Sequence, residues 1–162
     1  MLSHQPLAVA LAILHIEWMI QAHYTESVRD NQDLDPQFKS LLKHHWMEEA
    51  QHARLDTLMV EALAEGLSPR EIAETVDEYF QIGEMLDQGL AKQVKYGADS
   101  FTKATERNLS EWEHKQFMAV QHQANRWTYL GCRLPHPNFL ATIDQLASEQ
   151  RERIEEVAPA FC

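Results

Sequence analysis

The sequence is short of glycine, cysteine and positive charge, and each shortage closes off a class of protein. Five glycines in 162 residues, with few strand-like runs, leave little material for hairpins and twisted sheets. The chain is long enough for one ordinary domain with a real core, so a single all-α domain over residues 1–162 is the expectation. Only two cysteines are present, Cys132 and Cys162, without CxxC spacing. That excludes a disulfide scaffold and a four-thiolate iron site, and a reducing cytoplasm is the simplest location. Lys and Arg number 14 against 25 Asp and Glu, for a formal charge of -11, and no basic stripe exists. Nucleic acid and anionic membrane are therefore excluded as partners, because both are held by clustered Lys and Arg.

No positive residue precedes the apolar run Leu7–Ile20, and His15 and Glu17 interrupt it. It is too short to span a bilayer and reads as the first core helix of a soluble protein. At 100° per residue, Leu7, Leu11, Leu14, Glu17, Trp18 and Gln21 share one side of a helix from about Leu7 to Asp30. Asp35 and Pro36 read as N-cap and first residue of a second helix, reaching about Glu65. Its inward stripe, Phe38, Leu41, Leu42, His45, Glu49, His52, Asp56, Met59 and Leu63, carries four polar groups in an apolar face. Gly66-Leu67-Ser68-Pro69 combines a C-cap glycine, a Ser N-cap and a proline at N1, opening a third helix to about Tyr96. Gly97 is the best break before a fourth helix over about Ala98–Gly131. A fifth, from about Pro137 to Glu156, covers one flank. The fold expected is an antiparallel four-helix core over about 7–131 with an additional C-terminal helix.

Trp46-Met47-Glu48-Glu49-Ala50-Gln51-His52 holds the most informative spacing, because Glu49 and His52, three apart, share one helix face. A second Glu-x-x-His lies at Glu111 and His114, and Glu17 and Glu84 supply further carboxylates. Residues equidistant from a short turn meet at one height in an antiparallel bundle. Glu17 and Glu49 are equidistant from Asp33, His52 and Glu84 from Ser68, and Glu84 and Glu111 straddle Gly97. Four carboxylates and two imidazoles suit two ions of iron, or manganese, better than a structural zinc. Glu49 and Glu111 would bridge, Glu17 and Glu84 would be terminal, and His52 and His114 would cap. Asp87 is an alternative to Glu84 and His122 to His114. Asp56 and Glu48 are acceptors to orient His52.

The set Glu17, Glu49 with His52, Glu84, and Glu111 with His114 resembles the ferritin-like di-iron carboxylate superfamily, whose helices carry Glu, Glu-x-x-His, Glu and Glu-x-x-His in that order. The stretch EEAQHARLD also looks like the second-helix segment of arylamine N-oxygenase-type di-iron oxygenases. A haemerythrin-like bundle is the nearest rival, since His45 and Glu49 supply its His-x-x-x-Glu, but the third helix lacks the histidines it needs.

The resemblance implies a di-iron oxidase or oxygenase acting on a small substrate with dioxygen. An external electron donor is implied too, since no rubredoxin-like cysteines or flavin fingerprint are present. The alternatives are an iron storage or detoxification protein and a metal-free helical interaction protein. A homodimer is expected from general prevalence alone.

Overall fold

The computed structural model describes residues 3–131, 134 and 136–161, and all regular structure among them is helical. Six α-helices follow one another: α1 Pro6–His23, α2 Pro36–Ala64, α3 Pro69–Thr105, α4 Glu111–Arg126, α5 Pro137–Leu146 and α6 Ser148–Val157. Prolines open four of them, where the missing N–H costs nothing and the fixed φ is already helical. As the sequence predicts, the Asp35 side chain accepts from the N–H groups of Gln37 and Phe38 to start α2. Ser68 and Glu71 close a capping box that starts α3. Between them Gly66 takes a left-handed φ of 81°, a conformation free of Cβ strain only for glycine.

Three boundaries differ from the sequence expectation. The third helix does not stop at Gly97: α3 continues to Thr105, for 37 residues. One glycine among helix-forming neighbours costs about 1 kcal/mol against alanine, too little to break a helix packed on both sides of the position. The break comes instead at Glu106, in the left-handed region at φ 53°, and Ser110 restarts the chain with a second capping box to Glu113. The fifth helix is two, α5 and α6, meeting at an extended Ala147. The first α-helix ends at His23 but runs on as a wider π turn over Tyr24–Val28. There Thr25 Oγ1 donates to the carbonyls of Gln21 and Ala22, competing with the backbone ladder.

Helix α1 is the common neighbour, packed between α2 and α3, while α2 and α3 barely touch beyond their turn and α4 packs on α3. Its start is pinned to α3: the Gln5 N–H donates to Glu78 Oε2 at 2.7 Å, and Thr75 Oγ1 donates to Gln5 Oε1 at 3.2 Å. The main core joins Leu11 and Leu14 of α1 to Val60, Val76, Phe139, Ile143 and Ile154, all fully buried. Each such side chain contributes about 1.5–3 kcal/mol of burial energy. By length and composition the stretch Pro6–Val28 could cross a membrane, but half of its most apolar window lies inside the protein.

His15 is buried in α1, with Nδ1 2.6 Å from the Tyr79 hydroxyl and its ring against Phe139. Burial, aided by the nearby His136, lowers its pKa from 6.5 to about 4, so the folded state holds it neutral. Between these values the unfolded chain binds the extra proton, and stability present above pH 6.5 is lost as pH falls toward 4. We expect the stability difference between wild type and His15→Gln to shrink by about 2 kcal/mol from pH 7.5 to pH 5. Urea unfolding of both proteins at the two pH values measures it, and the difference cancels the titrating groups that do not interact with His15.

Candidate metal centre

The turn at residues 29–35 returns the chain antiparallel to α1, and two contacts set the height at which α2 lies on it. The Gln21 side-chain amide donates to the Trp46 carbonyl at 2.9 Å, and the Tyr24 and Trp46 rings stack at 5.0 Å. About one helical turn from the Gln21–Trp46 bond, Glu17 of α1 arrives at Glu49 of α2, with His52 a turn further along. One oxygen of each carboxylate and one ring nitrogen of His52 lie within 4.8 Å of one another.

Glu49 is the centre of the cluster. Its Oε2 lies 2.6 Å from His52 Nδ1 and its Oε1 lies 3.0 Å from His45 Nε2, so each oxygen has an imidazole partner. The Glu49 hydrogen bond holds the His52 pKa above the ordinary histidine value. Glu17 is less well served. Its Oε2 is buried with no hydrogen-bond partner, and burial, the shared hydrogen bond with Glu49 and that carboxylate's charge push its pKa up to about 7. Asp56, one turn beyond His52, is raised by burial as well. Two carboxylates held together with one oxygen unpartnered are a cluster with too little positive charge beside Glu17. A cation between them would meet the orphan oxygen and remove the repulsion at once. Two carboxylates and an imidazole could hold a divalent cation in a partly open site.

The other half of the expected donor set is elsewhere. Because α3 runs through Gly97, the mirror point of the α3–α4 pair moves from Gly97 to the Glu106–Ser110 turn. Phe101 then stacks on Phe117 at 5.8 Å, and Asp87 meets His122 at 2.9 Å and Arg126 at 3.1 Å. The two alternative ligands Asp87 and His122 are thus each other's partners in an ion-pair cluster. Glu111 and His114 sit exposed in the first turn of α4, where Glu113 does the capping. Glu84 is exposed on α3, on the far side of α1 from α2, at the rim of an apolar cavity. Among the described residues, no group of three metal-ligating side chains besides Glu17, Glu49 and His52 converges. His45 is the residue the six-ligand set left out, and its i,i+4 spacing to Glu49 is the signal for it.

The cavity holds about 330 Å³, the lower end of small-ligand sites. Ile13 and Ile16 of α1, Phe80, Ile82 and Leu86 of α3 and Leu130 line it. Ile13 and Ile16 stand within one helical turn of Glu17, so α1 carries the carboxylate cluster on one face and a wall of the cavity on the next.

Comparison with family models, curated proteins and solved structures finds no match.

Glu17→Gln removes the repelling carboxylate while keeping its shape. In chelator at pH 8 we expect the variant to be more stable than wild type by about 1 kcal/mol, the shift at Glu17 being discounted for its partial exposure. Thermal unfolding measures it. Unchanged or lower stability would show that the cluster is at ease without a cation.

Proposed function

We propose that the protein is a metal-dependent oxidase or oxygenase of a small apolar molecule, built on an open helical bundle of the ferritin-like kind. The observation that carries this reading is the convergence of Glu17, Glu49 and His52 from two helices, with one Glu17 oxygen unpartnered. These three side chains would hold one ion of iron or manganese, and a second ion would need donors beyond them. Bound metal supplies the dioxygen chemistry that no side chain offers.

The chain's own residues do the rest. Glu49 orients both His45 and His52 by accepting from each, so the imidazole that binds metal is held in one rotamer. The π turn after His23 and the Tyr24–Trp46 stack fix the α1–α2 register on which the donor spacing depends. The apolar cavity on the adjoining face of α1 is the place for a substrate with little polarity, since its lining offers few hydrogen-bonding groups. No cysteine pair or flavin fingerprint serves as an internal electron source, so the donor is a separate protein or small reductant. Two cysteines without CxxC spacing support a cytoplasmic location for this chain, with α1 a core helix.

Metal content of freshly purified protein tests the reading. Wild type should carry about one iron or manganese per chain and Glu49→Ala/His52→Ala almost none. With a reductant present, wild type alone should take up oxygen faster than free iron. Absence of stoichiometric metal from both proteins would leave a metal-free interaction bundle.

Gly83 lines the cavity, and a Cβ built on it meets nothing within 4 Å. Gly83→Leu should therefore fold, gain slightly in helix propensity, and fill the cavity. Binding of an apolar fluorescent probe should fall at least about tenfold, a loss of roughly 1.4 kcal/mol. Metal content should not change. Unaltered probe binding would place the apolar site elsewhere.

A further inference from the structure

Helix α2 covers α1 with only a narrow strip of its surface, and of its 29 residues only Ala53 and Val60 are buried. On the neighbouring flank, Phe38, Leu41, His45, Glu48, His52, Leu55, Met59 and Ala62 follow one another at spacings of three and four without interruption. That is a heptad seam, with Phe38, His45, His52 and Met59 at a and Leu41, Glu48, Leu55 and Ala62 at d. Every residue of it is exposed: Phe38 by 50%, Leu41 by 64%, Leu55 by 62% and Met59 by 41%. Together with Leu63 and the two histidines it offers on the order of 600 Å² per chain, close to the roughly 800 Å² per partner of a standard interface.

The seam also specifies what covers it. In an antiparallel pair of coiled helices each a residue layers against a d residue of the other helix. A two-fold axis at the level of Ala50 then pairs Phe38 with Ala62, Leu41 with Met59, His45 with Leu55 and Glu48 with His52, each pair formed twice. Apolar residues meet at the ends, and two reciprocal imidazole–carboxylate pairs meet in the middle. A parallel pair would instead set Glu48 against Glu48 and each histidine against itself. We propose that a second copy of this chain docks antiparallel on α2, forming a two-fold dimer in which Glu48 of the second copy reaches His52. Resting on the metal reading above, that carboxylate adds a fourth donor to Glu17, Glu49 and His52, and the dimer holds two such shared sites.

Sedimentation velocity of the full chain in EDTA tests the pairing without metal. Wild type should sediment as a dimer, and Leu41→Glu/Leu55→Glu as a monomer of unchanged helical circular dichroism. A monomeric wild type, with EDTA or with Mn²⁺, overturns the proposal and assigns the seam to another protein. Disulfide trapping in a Cys132→Ser/Cys162→Ser background tests orientation even if the glutamate variant fails to fold. Leu41→Cys mixed with Met59→Cys should give a covalent dimer and neither should alone; self-linking of Leu41→Cys overturns the antiparallel register. For the shared site, Glu48→Gln should weaken Mn²⁺ binding at least about tenfold while the dimer persists. Unchanged affinity overturns the fourth donor. A dimeric wild type that binds no Mn²⁺ fails the metal reading and leaves the pairing standing.

Discussion

Glu17 is the one Asp, Glu, Lys or Arg in α1, a largely apolar helix packed between two neighbours. A half-buried carboxylate with one oxygen shielded from water is costly to keep charged unless it is paired, protonated or bound to a cation. The protein does not supply a Lys or Arg to meet it. It supplies a second carboxylate, Glu49, and two histidines that lean on Glu49 rather than on Glu17. The register of α1 against α2, the stacking of Tyr24 on Trp46 and the caps at Asp35 and Ser68 all serve to hold this unfavourable meeting in place. A polar cluster of this kind sacrifices stability in the empty protein, and the sacrifice makes sense if something binds there.

The α1–α2 half of the molecule was legible in the sequence because local signals there agree with one another. Asp35, Pro36, Gly66, Ser68 and Pro69 are strong punctuation, and symmetric counting about Asp33 brings Glu17 to Glu49 and His52 without further information. In the α3–α4 half the lone Gly97 is the more conspicuous break in the sequence, but the Ser110–Glu113 capping box sets the true restart. An error of about ten residues in a helix boundary moves the mirror point of a hairpin by a similar amount. That shift sets Asp87 against His122 and leaves Glu84 exposed. Periodicity also placed Phe38, Leu41 and Met59 inward on α2. They are apolar and regularly spaced, but the seam they form does not face α1, and no count along a single chain tells a core stripe from a contact stripe.

The two faces of α1 divide the labour of the molecule. One presents Glu17 to α2, and the other presents Ile13 and Ile16 to α3 and the apolar cavity. A substitution that rotates or shifts α1 would disturb polar cluster and cavity together, which couples the two through rigid packing rather than through a chain of polar contacts. The bonds from Gln5 to Glu78 and Thr75 guard against such a shift at one end, and those around Trp46 at the other.

The unequal lengths of the helices have a further consequence. At 1.5 Å per residue α1 is about 27 Å long and α3 about 55 Å, so nearly half of α3 extends past the main core. Against that half α4 sets Phe117 on Phe101 and His122 on Asp87. The α3–α4 hairpin is thus a lever whose near end, Ile82 and Leu86, forms part of the cavity wall, so that a load on its far end would act on that wall.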